Sequence, residues 1–290
     1  MKRRRVVKNI LKIVVCAVAL TLVLTGAAFA GKGKVRIAYV EWDCAAASTN
    51  VAKVALERMG YDVEILAVGG AAMWQAVGTG DVDAMVTAWL PVTHADYFAK
   101  VKDKVEDLTV IATGAKLGWA VPSYVTAESI ADLNANADKL DGKIIGIDPG
   151  SGLMRLSADA MKAYGLDKLE LMEGSGATMT AALADAIKHK KWVVVTAWSP
   201  HWMFGKWDLK YLADPKKVLG EEEHIDTVVR KGLDKDMPEV YAFFKNFKWE
   251  SPNQLQMVMA WNAEKGADRY ENAKRFIKEN KAQVAKWMGK

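Results

Sequence analysis

Three of the eleven tryptophans in this 290-residue chain stand where an indole face could meet a ligand. Trp89 closes Val86-Thr87-Ala88-Trp89-Leu90-Pro91, and Trp198 closes Val195-Thr196-Ala197-Trp198-Ser199-Pro200, 109 residues further on. Each ends an apolar run just before a proline, which places the indole at the carboxyl end of a strand. Trp42, in Tyr39-Val40-Glu41-Trp42-Asp43, follows a third such run. A cation over an indole face gains roughly 0.5–1 kcal/mol in water and about 2 kcal/mol when desolvated. Three faces around one trimethylammonium group could supply roughly 6 kcal/mol. A quaternary nitrogen has no N–H to donate, so aromatic faces select it where hydrogen bonds cannot. The plainer alternative is that both echoed tryptophans plug their own cores.

An anionic pole on the same ligand would need donors. His94, five residues after Trp89, is one candidate. The other is Asp148-Pro149-Gly150-Ser151-Gly152-Leu153, a glycine-rich turn entering a helix, whose first backbone N–H groups are free to meet an anion. The turn fails as a dinucleotide motif, because Arg155 stands where a third small residue is needed.

Enzyme chemistry finds little support. His94, His189, His201 and His224 show no metal-ligand spacing, and neither a nucleophile elbow nor a P-loop occurs. No cofactor and no metal is expected. His189 among Lys188, Lys190 and Lys191 reads as a solvated helix end, and Glu221-Glu222-Glu223-His224 as a charged surface turn. Asp81 and Asp83 read as loop solvation. Trp74, Trp192, Trp202, Trp207, Trp249, Trp261 and Trp287 are expected to serve packing or the surface, whereas Trp119 is placed for a hinge or cleft edge.

The elements that position these residues alternate. Val35, Ile37 and Tyr39 mark a strand, and Ser48 or Thr49 is expected to cap a helix carrying Val51, Val54, Ala55 and Met59 to Gly60. A strand over 62–68, a helix over 71–77 and a strand over 83–88 follow. After Pro122 the alternation resumes with a strand over 143–147, helices over 153–164 and 178–189, and a strand over 192–197. From about Asp226 the pattern predicts helix to the end. This is an open, mostly parallel α/β sheet, in which ligands bind outside the carboxyl ends of strands.

The first thirty residues read differently. Lys2 to Arg5, Lys8 and Lys12 are basic, an apolar run follows, and Ala28-Phe29-Ala30 ends it with small residues at the cleavage positions. That order predicts a cleaved signal peptide over 1–30 and a periplasmic protein. Its six basic residues turn the formal charge of +5 into −1 for the remainder, which removes any case for nucleic-acid binding. Only Cys44 is left, so no internal disulfide is possible. The remaining chain exceeds one comfortable core, and two lobes are expected.

Tyr39-Val40-Glu41-Trp42-Asp43, Ala88-Trp89-Leu90-Pro91 with His94, Gly146-Ile147-Asp148-Pro149-Gly150 and Trp198-Ser199-Pro200-His201-Trp202 together resemble the glycine betaine binding proteins of the OpuAC type. The resemblance covers nearly all of the chain after residue 30. It implies a two-lobed α/β periplasmic binding protein (type II) fold with the ligand in the inter-lobe cleft. It also implies Trp42, Trp89 and Trp198 as a box for the trimethylammonium group, His94 as side-chain donor, and the Gly152 and Leu153 amides for the carboxylate. The lobes are expected over 34–117 with about 219–290, and over about 118–218. The implied partners are a betaine and the membrane permease and ATPase of an ABC transporter, and the binding protein is expected to be a monomer. Choline, carnitine or proline betaine are competing ligands, and a secreted enzyme or a sensory module are competing roles.

Overall fold

The computed structural model describes residues 31–290, so the predicted signal peptide lies outside the described residues. In chain order the elements are β1 (Lys34–Tyr39), α1 (Asp43–Arg58), β2 (Asp62–Ala67), α2 (Gly70–Thr79), β3 (Ala84–Leu90), α3 (Ala95–Val101) and β4 (Val105–Pro122). β5 (Lys143–Ile145), α4 (Gly152–Ala163), β6 (Glu170–Met172), α5 (Gly176–Lys188), β7 (Val195–Ser199), α6 (Met203–Lys206) and β8 (Leu209–Tyr211) come next. The chain ends with β9 (Glu223–Arg230), α7 (Leu233–Asp236), α8 (Pro238–Asn246), α9 (Pro252–Asn262), α10 (Arg269–Glu279) and α11 (Lys281–Trp287).

The strands run in the order β2-β1-β3-β9-β4-β7-β5-β6, with β8 also on β4. β1 lies parallel to β2 and β3, and β5 parallel to β6 and β7, as the strand–helix alternation predicts. β3 is buried along its whole length, which explains its unbroken apolar sequence. Two antiparallel strands tie these parallel groups together. Residues Val105 to Ala115 of β4 pair with β9, and Lys116 to Ala120 pair with β7. One strand therefore belongs to both halves of the molecule. Register shifts between Asp107 and Ala115 bend it on the way, and Gly114 supplies a left-handed φ of 72° inside the last shift.

Five expectations need correction, beginning with Asp83, which is buried and accepts from Arg36 N at 2.9 Å and Arg230 Nε at 2.8 Å rather than solvating a loop. The segment from Asp226 does not begin as helix: Ile225, Thr227, Val228 and Val229 lie in the central strand β9 and are buried. Their β-branched side chains suit a strand covered on both faces. Glu223 is no surface residue either, being only 4% exposed. α1 starts at Asp43 with Trp42 in the cap position, since the Ala45-Ala46-Ala47 run favours helix. Ser48 is buried within that helix, where its Oγ accepts from Trp249 Nε1 at 3.1 Å. Trp119 marks no cleft edge: it is fully buried and donates to Ser157 Oγ on α4 at 2.9 Å.

The last helices close the core beside α1. Phe247, Trp249, Phe276 and Trp287 pack with ring centroids 4.8–6.2 Å apart. Trp261 is half-buried, with the Arg275 guanidinium 3.9 Å from its ring centroid. Among the described residues no helix is long and apolar enough to cross a membrane.

Candidate functional site

Trp89 and Trp198 occupy equivalent places, each the penultimate residue of its strand, β3 and β7. The prolines after them both follow cis peptide bonds, Leu90-Pro91 and Ser199-Pro200. Beyond Pro91 the chain folds back, with His94 N donating to Trp89 O at 2.9 Å and Trp89 N donating to His94 Nδ1 at 3.0 Å. Because Nδ1 accepts a backbone hydrogen, the ring proton of neutral His94 must sit on Nε2. Burial, aided by the positive charge of Arg155, pushes the His94 pKa down to about 3, so the ring is a neutral Nε2–H donor. Trp42 stacks on it at 5.7 Å and Trp74 meets it edge-on at 5.8 Å. Trp74 is thus a core residue, as expected, and it backs His94.

The glycine-rich turn ends at α4. Ser151 caps that helix, its Oγ accepting from Met154 N at 3.2 Å. Gly152 and Leu153 occupy its first two positions, where a helix offers no internal acceptor for the N–H groups. Gly152 also lies against the turn that carries His94. A Cβ there would fall 2.2 Å from the carbonyl oxygen of Thr93, so only glycine permits this approach.

Trp42, Trp89, Trp198, His94, Gly152 and Leu153 all line one cavity. Its atom-free space of about 320 Å³ runs out into the open solvent at its mouth. Residues not singled out from sequence complete the wall: Cys44, Thr93, Leu117, Ile147 and Ser151. Four of these are neighbours of predicted site residues along the chain, so a wider reading of the same motifs would have found them. Leu117 comes from β4, which no motif marked. Among the described residues no group of His, Cys, Asp and Glu is arranged to hold a metal.

Contacts across the cavity mouth join residues that the sheet assigns to opposite halves. Trp42 Nε1 donates to Asp148 Oδ1 at 2.8 Å, and Tyr97 Oη donates to Gly150 O at 2.6 Å. Arg155 pairs with Asp96 at 3.2 Å. On the far side Asp43 Oδ2 accepts from Trp202 Nε1 at 3.1 Å and lies 3.1 Å from His201 Nε2, out of line for a hydrogen bond. Burial alone would raise the Asp43 pKa, but His201 and Trp202 overcome it and leave the carboxyl below its ordinary value. Trp202 and Trp207 sit 5.3 Å apart beside the site, packing as expected.

Two α/β halves sharing a bent strand and closing on an aromatic cavity define a substrate-binding protein of the periplasmic type. Residues 33–279 match the substrate binding domain of ABC-type glycine betaine transport systems, and the chain belongs to that family. It is similar to the glycine betaine/carnitine transport binding protein GbuC of Listeria monocytogenes, 44% identical over 180 residues. That match takes in 61% of this chain and 57% of the Listeria protein, so the chain spans little more than half of that relative. Among solved structures it resembles lactococcal OpuAC in its closed form with glycine betaine, with a TM-score of 0.84 and 43% identity over 89% of this chain and 100% of that one. It also resembles the glycine/betaine/L-proline-binding protein ProX of Borrelia burgdorferi, with a TM-score of 0.85 and 38% identity over 88% and 96% of the two chains.

Proposed function

We propose that this protein captures glycine betaine outside the cytoplasm, in the periplasm, and delivers it to the permease and ATPase of an ABC transporter for osmoprotection. The observation that carries the reading is the meeting of six residues, drawn from widely separated motifs, on one cavity. Trp42, Trp89 and Trp198 form the box for the trimethylammonium group by cation–π attraction. His94 Nε2–H and the Gly152 and Leu153 amides hold the carboxylate. The lobes are 34–117 with about 219–290, and about 118–218, so that Trp42, Trp89 and His94 face Trp198, Gly152 and Leu153 across the cleft. Binding then favours the closed state, because only closure completes the site. The protein works as a monomer.

Transport-grade affinity near micromolar corresponds to about −8 kcal/mol, within reach of three desolvated indoles and a carboxylate clamp. Isothermal titration should give one glycine betaine site, lost in Trp89→Ala and in Trp198→Ala. Unchanged affinity in both variants would sink the box. In a panel with proline betaine, carnitine and choline, His94→Ala should cost the carboxylate-bearing ligands and spare choline. Full affinity for glycine betaine in His94→Ala would remove His94 from the site.

A further inference from the structure

Glu223 is a buried carboxylate with no place in the cage, and its oxygens are spent on one turn. Oε1 accepts from Val92 N at 2.5 Å and from Thr93 N at 2.7 Å, and Oε2 accepts from the Thr93 hydroxyl. Val92 and Thr93 are the residues between cis-Pro91 and His94. Their backbone is met from the opposite side by lobe 2. Arg155 Nη2 lies 3.4 Å from both of their carbonyl oxygens, and Gly152 is packed against that of Thr93. Glu223 itself opens β9 opposite Ala115 of β4, one residue before β4 leaves β9 for β7 at Lys116. The carboxylate therefore joins the place where the chain passes between lobes to the turn that aims His94.

We propose that Glu223 is a positioning residue for the ligand's carboxylate, acting through the Val92–Thr93 turn on His94. This rests on the betaine-binding reading given above. Without the grip, two backbone N–H groups and a hydroxyl lose their acceptor, and the turn is free to re-form with the His94 ring rotated. The Trp89 N–H to Nδ1 bond, which fixes the proton on Nε2, is then no longer enforced. The role is geometric: a side chain of the same length that offers one oxygen to the two N–H groups and an N–H₂ to the Thr93 oxygen should serve.

The test is glycine betaine titration of wild type, Glu223→Asp and Glu223→Gln, together with nitrogen NMR of the His94 ring, assigned by His94→Ala. Glu223→Asp keeps the charge but falls short of the turn, and should weaken glycine betaine binding roughly tenfold or more. Its His94 ring should lose the pure Nε2–H signature. Glu223→Gln should stay within about threefold of wild type with an unchanged ring. It also serves as the folded reference if the Asp variant melts early. Wild-type affinity in Glu223→Asp, or lost affinity with an unaltered ring, overturns the proposal, as does a Gln variant as impaired as Asp. If wild type binds no glycine betaine, the functional reading fails, and the ring signatures of the ligand-free proteins still decide the role of Glu223.

Discussion

Trp42 Nε1 donates to Asp148 Oδ1 at 2.8 Å, so one wall of the proposed box is also a bond between the two halves of the molecule. The face of the indole and its edge carry separate duties. Trp42→Phe keeps an aromatic face but loses the donor to a carboxylate, a bond worth about 1.5–3 kcal/mol. Glycine betaine affinity should fall roughly ten- to a hundredfold. In an Asp148→Ala background the same substitution should cost much less, since the bond is already gone. Calorimetry on the four proteins of that cycle reads the coupling. Equal losses in both backgrounds would show that the edge of Trp42 contributes nothing.

Gly152 makes closure a steric matter. Its backbone is ordinary helix, so Ala is no burden to α4 itself, yet the added Cβ would lie 2.2 Å from Thr93 O when the halves meet. Gly152→Ala should leave thermal stability near wild type and weaken glycine betaine binding about ten- to a hundredfold through overpacking. Small-angle scattering at saturating ligand should show a more open particle than wild type. A variant that binds and compacts like wild type would mean that lobe contact at Thr93 is not needed for capture.

The residues that meet at the cavity were legible because each is tied to local signals. The two apolar strands carry tryptophan next to last with proline just beyond, and the glycine-rich turn precedes an amphipathic helix, so chain position put Trp89, Trp198, Gly152 and Leu153 near strand and helix ends. β9 and the far half of β4 were illegible for the converse reason. Buried Glu223 and Asp226 and half-buried His224 break the apolar pattern of β9, and the burial of Glu223 depends on Val92, 131 residues away. A buried charge looks like a surface charge until its donors are known. The start of α1 was misread because Ser48 is an effective cap residue in isolation, while Trp249, brought in by the last helices, claims its hydroxyl.

Cys44 offers a reporter of the cleft. It lines the cavity, and burial, with the Asp43 carboxylate beside it, pushes its pKa up to about 12. At pH 8 only about one thiol in ten thousand is then ionised, and the thiolate is the reactive form. Saturating glycine betaine should slow alkylation of Cys44 at least roughly tenfold relative to ligand-free protein, since the open cleft restores ordinary solvation. Mass spectrometry of the Cys44 peptide distinguishes it from Cys16. Equal labelling rates with and without ligand would argue that the cavity does not open between cycles.

Acid stability should depend on two buried groups with opposite signs. His94 has a folded value of about 3 against an ordinary 6.5, so between those limits the unfolded chain holds more protons and stability rises with pH. The slope is at most about 1.4 kcal/mol per pH unit. Asp226 is raised from 3.8 to about 7, first by burial and then by the charge of Asp107, against the pull of His224. Between those limits the folded chain holds the extra proton, so stability falls as pH rises. Over the shared window from 3.8 to 6.5 the two effects oppose in the closed form, so the melting temperature of the wild type should vary less with pH than that of a variant lacking either group. Asp226→Asn removes the falling contribution, so its melting temperature should drop steeply on acidification below pH 6.5. His94→Gln removes the rising one, so its melting temperature should climb over the same interval. Calorimetric scans in buffers of matched ionic strength check both slopes, and variants that parallel wild type would show that neither group is linked to folding.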